Sequence, residues 1–196
     1  MDIILENISK SFGEEKVLDN LSLTFPDGGT SYLKGPSGRG KTTLLNIIAG
    51  LTAPDSGKIH GTGGRKMAYV FQEPRLIPHM TVLQNVEFVL PEDISPDERH
   101  DRAMACLETV ELAADASKLP ASLSGGMTQR VSLARALAAD ADIILLDEAF
   151  SALDSELKER LFPRLNGIFS KRGCTVIIAT HSEDAAALPA SGIFCI

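Results

Sequence analysis

Residues 35–43 read GPSGRGKTT, set between an apolar run at Ser31–Lys34 and a helix-like run over about Lys41–Leu51. The pattern is G-x-x-x-x-G-K-T, with Gly35, Gly40, Lys41 and Thr42 at its fixed positions. Glycines let the backbone curl so that successive N–H groups point inward at phosphate oxygens. Lys41 supplies a point charge at the β/γ end, and the Thr42 hydroxyl can ligate Mg²⁺. The helix that follows aims its positive N-terminus at the same anion. A chance match in an ordinary turn lacks such neighbours, and here both are present. The stretch predicts binding of a nucleoside triphosphate.

Outward from this loop, short apolar runs recur at Ile3–Ile8, Leu21–Phe25, Met67–Phe71, Ile143–Leu146 and Thr175–Ala179. Turns and helix-like segments follow several of them, which predicts a layered α/β core. The runs at 143–146 and 175–179 are uniformly apolar, as central strands covered on both faces should be. From about Thr81 to Ala138 the periodicity turns helical. Ser95-Pro96-Asp97-Glu98 predicts a helix start with Ser95 as cap, Pro96 in the first turn and Glu98 closing a capping box. A second helix is expected over about Met127–Ala139 and a third over about Ser155–Lys171, the latter kinked or interrupted at Pro163.

Residues 142–148 read DIILLDE. A buried strand here delivers Asp147 and Glu148 at its carboxyl end, the edge where α/β sheets bind ligands. Beside a phosphate loop, the Asp is suited to hold Mg²⁺ and the second carboxylate to act on attacking water. A solvated acidic turn is the plainer reading of the pair taken alone. Residues 123–127 read LSGGM and precede a helix. Ser124, Gly125 and Gly126 offer a hydroxyl, bare N–H groups and a positive helix end, a second anion-binding arrangement. A flexible helix cap reads equally well from these residues alone. An anion site 83 residues beyond Lys41 makes sense if it serves a neighbouring subunit's nucleotide.

The whole chain bounds these readings. Its 196 residues suit one domain with a small subdomain, and a hydrophobic content of 44% suffices for a core. A formal net charge of −7 argues against general nucleic-acid binding, so no nucleic-acid partner is expected. Cys106, Cys174 and Cys195 match no metal spacing, and the latter two read as core residues. The N-terminus has no signal-peptide pattern, and no apolar run is long enough to span a membrane.

The order GPSGRGKTT, Gln72, LSGGM, ILLDE, SALD and His181 resembles the ATP-binding-cassette (ABC) ATPase family over essentially the whole chain. VFQEPRLIPHMTVLQNV and LSGGMTQRVSLARAL look most like bacterial importer ATPases of the nitrate, sulfonate and taurine type. The resemblance implies a P-loop NTPase core with a mixed, mainly parallel sheet, an antiparallel N-terminal β part and an inserted helical subdomain. Residues 1–80 and 139–196 would form the core, and 81–138 the helical subdomain. Gly35, Pro36, Ser37, Gly38, Arg39, Gly40 and Lys41 would cradle ATP, with Thr43 near the α-phosphate and Phe12 stacked on adenine. A core Phe is the equal alternative for Phe12. Thr42, Gln72 and Asp147 would serve Mg²⁺. Glu148 would be the general base, Gln72 would reach the attacking water, and His181 would contact the γ-phosphate. Ser124, Gly125, Gly126 and Asp154 would meet the other subunit's nucleotide site.

The implied assembly is a head-to-tail homodimer with ATP at its interface, peripheral on the cytoplasmic face of the cell membrane. Separate permease chains would dock near Glu73–Met80. Two departures stand out: Met127 replaces the usual Gln of the signature, and Ala149 replaces the usual Pro. The sequence ends 15 residues after His181, which implies a minimal cassette without a C-terminal regulatory domain. An exporter-type ATPase remains an alternative. A soluble repair-type ATPase is disfavoured, because only 52 residues separate Gln72 from Ser124, without sustained heptads.

Overall fold

The computed structural model describes residues 1–181 and 188–196. The first two strands, β1 (Ile3–Phe12) and β2 (Glu15–Phe25), form an antiparallel hairpin. Next come β3 (Thr30–Lys34), α1 (Lys41–Ile48), β4 (Ser56–His60) and β5 (Met67–Val70). Three helices follow: α2 (Val82–Glu87), α3 (Pro96–Thr109) and α4 (Gly125–Ala138). The chain continues through β6 (Ile143–Asp147), α5 (Ser155–Arg172), β7 (Thr175–Thr180) and β8 (Gly192–Cys195).

The strands sort into two sheets. One is antiparallel, in the order β2-β1-β4, and the other has the order β5-β6-β7-β3-β8 with every pairing parallel. Every residue of β6 and β7 is buried, and apart from Asp147, Thr175 and Thr180 at the strand ends their side chains are apolar on both faces. Ile143 and Leu145 pack with Ile3, Leu5, Leu44 and Leu45, between the antiparallel sheet and α1. Ile144 and Leu146 point the other way, into a core with Val86, Leu107, Leu137 and Leu165 from the helices. Both β4, with its mostly exposed residues, and the edge strand β8 went unread in the sequence, because neither buries a full face. Cys174 is buried as expected, whereas Cys195 is exposed on that edge strand.

Two local expectations are corrected. Glu98 does not close a capping box: Ser95 accepts from the Glu98 N–H, but the Glu98 carboxylate pairs with Arg102. The capping box lies at Thr81 and Gln84, on α2. Nor does Pro163 interrupt α5, which runs unbroken for 18 residues. Pro163 lies on the exposed face, where water can satisfy the carbonyl it leaves unpaired. Leu157, Leu161, Leu165 and Phe169 hold the opposite face in the core.

Candidate active site

Parallel pairing brings the carboxyl ends of four strands to one edge. Asp147 lies opposite Ala179 and Lys34 opposite Thr180, so the phosphate loop, the Asp-Glu pair and His181 emerge together. Gln72 follows β5 at the same edge. An open cleft of about 320 Å³ results, lined by Phe12, Ser37, Gly38, Gly40, Lys41, Thr42, Thr43, Gln72, Asp147, Glu148 and His181. Gly35, Pro36 and Arg39 belong to the loop but do not line the cleft.

Gly40 is required twice. Its φ of 84° is left-handed, and a Cβ there would meet Val17 and Leu18 side chains at 2.9 Å. No side chain caps α1 at Gly40, so the first N–H groups of this helix remain for an anion. Gly35 passes the Ile196 carbonyl oxygen so closely that a Cβ would lie 2.3 Å from it. Lys41 is buried, and its Nζ donates to the carbonyls of Gly35 at 2.7 Å and Pro36 at 3.0 Å. These bonds hold the ammonium inside the curl of the loop.

Asp147 is 1% exposed, and its Oδ1 is buried with no hydrogen-bond partner. The Tyr69 hydroxyl donates to Oδ2 at 3.4 Å. Burial raises the Asp147 pKa above the ordinary carboxylate value; the Thr42 hydroxyl works the other way, and the charge of Glu148 adds to the rise. An orphaned carboxylate oxygen beside a threonine hydroxyl fits Mg²⁺, which takes one or two carboxylates together with phosphate oxygens. Among the described residues there is no cluster of three or more His, Cys, Asp or Glu that could hold a metal alone.

Glu148 takes a left-handed backbone, φ 49°, rare for a residue with a long side chain. Its N–H donates to the Ala179 carbonyl at 3.0 Å, and its own carbonyl accepts from the Ser151 N–H and hydroxyl. The carboxylate, with a side chain 10% exposed, lies 2.8 Å from His181 Nδ1. A nearly buried carboxylate with one imidazole partner is equipped to receive a proton. Phe12 is 54% exposed at the hairpin turn, with Lys10 Nζ 5.5 Å from its ring centroid, which removes the core alternative and leaves an exposed ring at the cleft.

Ser124, Gly125, Gly126 and Asp154 lie outside this cleft. Ser124 caps α4, accepting from the Met127 N–H, and Asp154 caps α5, accepting from the Leu157 N–H at 2.8 Å. Gly126 presses on the loop before Asp154: a Cβ would meet the Ala152 carbonyl at 2.9 Å. Met127 packs against the helical core. Three supporting residues were not legible in the sequence. Tyr69 bonds Asp147, buried Gln129 on α4 reaches the Phe71 carbonyl, and fully buried Asn85 bonds four backbone groups of Ile77–Thr81. Their partners are distant or backbone, so no spacing marks them.

Comparison with known proteins agrees with this geometry. Residues 18–151 match the family model described as ABC transporter, and the chain belongs to that family. It is 44% identical to the sulfate/thiosulfate import ATP-binding protein CysA of Escherichia coli K12 and 43% to that of Vibrio cholerae. Those matches cover 95% of this chain but 55% and 53% of the relatives, so the chain spans about half their length. The dimeric structure of MJ0796, a bacterial ABC transporter cassette, superposes with a TM-score of 0.85 at 36% identity, covering 95% of this chain and 90% of that one. A second structure of that cassette, a post-hydrolysis state bound to ADP and Pi, matches equally.

Proposed function

We propose that the chain is the ATP-hydrolysing subunit of an ABC importer, working as a head-to-tail pair. The observation that carries this reading is a division of labour. One cleft gathers the phosphate loop, Asp147, Glu148, Gln72 and His181, while the Ser124-Gly125-Gly126 turn lies outside it. A turn suited to anions that does not line its own cleft can serve the nucleotide of a second copy. Residues 1–80 and 139–196 act as the nucleotide core, and 81–138 as the helical signature subdomain.

Loop N–H groups from Ser37 to Lys41 and the Lys41 ammonium hold the phosphates, and Phe12 stacks on the base. Thr42, Gln72 and Asp147 would hold Mg²⁺, which when bound would supply positive charge to the phosphoryl oxygens. Glu148 takes the proton of the attacking water, and His181 orients Glu148 and contacts the γ-phosphate. Ser124, Gly125, Gly126 and Asp154 approach the partner's site.

Among the described residues no helix is long and apolar enough to cross a membrane. The importer-named relatives support a seat at the cytoplasmic face on separate permease subunits, which dock near Glu73–Met80. A groove of about 210 Å³ beside that segment, lined in part by Phe71, Arg75, Val89 and Arg135, supports this placement. Importer-named relatives support import over export. Their printed cargo is sulfate and thiosulfate, while the motifs resemble nitrate, sulfonate and taurine importers; oxyanions are the common class.

The test is ATP turnover with Mg²⁺ by the purified chain, with Lys41→Ala as control. Turnover lost in the variant supports the reading, and a wild-type chain without Mg²⁺-dependent turnover contradicts it.

A further inference from the structure

We propose that Asp55, in the loop between α1 and β4, is a positioning residue for nucleotide binding: it holds the end of β1 that carries Phe12 at the cleft. This role rests on Phe12 meeting the base, as proposed above. The β1–β2 ladder alone does not fix that strand end. Its register shifts between Ile8 and Lys10 and again between Lys10 and Ser11, just before Phe12. Such irregularities bend a strand, re-aim its side chains and break the ladder locally. On the other side of β1, pairing with β4 stops at Ser9 opposite Ser56. Asp55 takes over from there. Its N–H donates to the Ser9 carbonyl at 2.9 Å. Its Oδ2 accepts from the Ser11 N–H at 2.7 Å, and its Oδ1 accepts from Lys10 Nζ at 2.7 Å. Three consecutive residues of β1 are tied to one loop residue, and Phe12 is the next in line.

The same clamp reaches the ring itself, because Lys10 Nζ lies over the Phe12 ring at 5.5 Å from its centroid. A lone exposed ion pair fixes little. Here the carboxylate also takes a backbone N–H, and the Lys10 side chain is only 15% exposed. Lys10 and the Ser11 N–H hold the Asp55 carboxyl below the ordinary carboxylate value, so the clamp is charged at neutral pH. The loop's other end belongs to the phosphate site. Helix α1 begins at Lys41, and beyond its end the N–H groups of Leu51 and Thr52 donate to the Asn46 carbonyl at 2.9 and 3.3 Å. One short loop thus runs from the helix that faces the phosphates to the strand end that faces the base. Asp55 sets the spacing between the two, and a nucleotide that fills both gains from that preorganisation.

The test uses the intact chain with Mg²⁺ and two probes, ADP and inorganic pyrophosphate, titrated by calorimetry into wild type, D55A, F12A and the D55A/F12A double variant. ADP reaches both the phosphate loop and the ring, whereas pyrophosphate reaches the loop alone. The expected result is ADP affinity lowered about tenfold in F12A and about threefold to fivefold in D55A, with pyrophosphate affinity within about twofold of wild type throughout. The double variant binds ADP no more weakly than F12A, because Asp55 acts through the ring. A merely structural role weakens both probes together instead. Hydrogen exchange without nucleotide is the second readout: amides of residues 11–14 exchange faster in D55A, while those of α1 and β6 stay as in wild type. Wild-type ADP affinity in D55A, parallel loss for both probes, additive losses in the double variant, or unchanged exchange over 11–14 each overturn the proposal. Wild-type ADP affinity in F12A overturns the stacking reading instead, and the exchange measurement still decides whether Asp55 holds the strand end.

Discussion

Glu148 and Asp147 are neighbours with opposite physical problems. Glu148 holds a strained φ of 49° and a near-buried carboxylate matched to His181. Glu148→Gln keeps the shape and removes the base, so turnover falls about a hundredfold or more while ATP binding persists. Steady-state hydrolysis and equilibrium binding on one preparation check this. Lys41→Ala takes away the cation held inside the phosphate loop, and calorimetry should show ATP affinity lowered about tenfold or more.

Asp147 is buried and its pKa is raised, so the folded state binds its proton more tightly than the unfolded chain does. Stability therefore falls as pH rises from the ordinary carboxylate pKa through the raised one, and the full cost is present above it. Asp147→Asn removes that charge. At neutral pH, without Mg²⁺ or nucleotide, the variant should melt about 2–4 °C higher, the shift that about 1 kcal/mol brings in a chain of this size. Near pH 4 the gain should shrink. Melting curves at the two pH values decide it.

Among the elements, the loop between β5 and α2 shows how a single side chain can fix a segment. Asn85 Oδ1 accepts from the Ile77 N–H, and Nδ2 donates to the carbonyls of Ile77, Met80 and Thr81. Asn85→Ala takes the side-chain partner from the Ile77 N–H and the Met80 carbonyl, while the carbonyls of Ile77 and Thr81 keep the N–H groups of Met80 and Asn85, and should cost about 2 kcal/mol, read from urea denaturation. No sequence pattern announces Asn85, nor Gln129 and Arg135, whose acceptors lie 58 and 60 residues away. GPSGRGKTT and DIILLDE were legible because their chemistry fixes both spacing and setting. The central strands were legible because burial on both faces demands unbroken apolar runs. Strand β4 was not, since its residues are mostly exposed, and Phe12 needed the structure to separate an exposed ring from a core one. Pro163 does not interrupt α5: it lies on the exposed face, where water can satisfy the carbonyl it leaves unpaired.

At the scale of the whole molecule, the account stands on two copies sharing their ATP. In the proposed pair, each copy supplies a phosphate loop to one nucleotide and a Ser124-Gly125-Gly126 turn to the other, which would make ATP part of the interface. Hydrolysis removes the bridging group and lets the pair open. Met127 offers no amide to this closure, so the pairing should need high protein concentration. The measurement that tests this most directly is light scattering of the Glu148→Gln chain with and without ATP. The predicted result is monomer without ATP and dimer with it, and Ser124→Arg in the same background should abolish the dimer. A mass that ATP leaves unchanged at high protein concentration, or a Ser124→Arg chain that pairs equally well, would contradict the shared-site account.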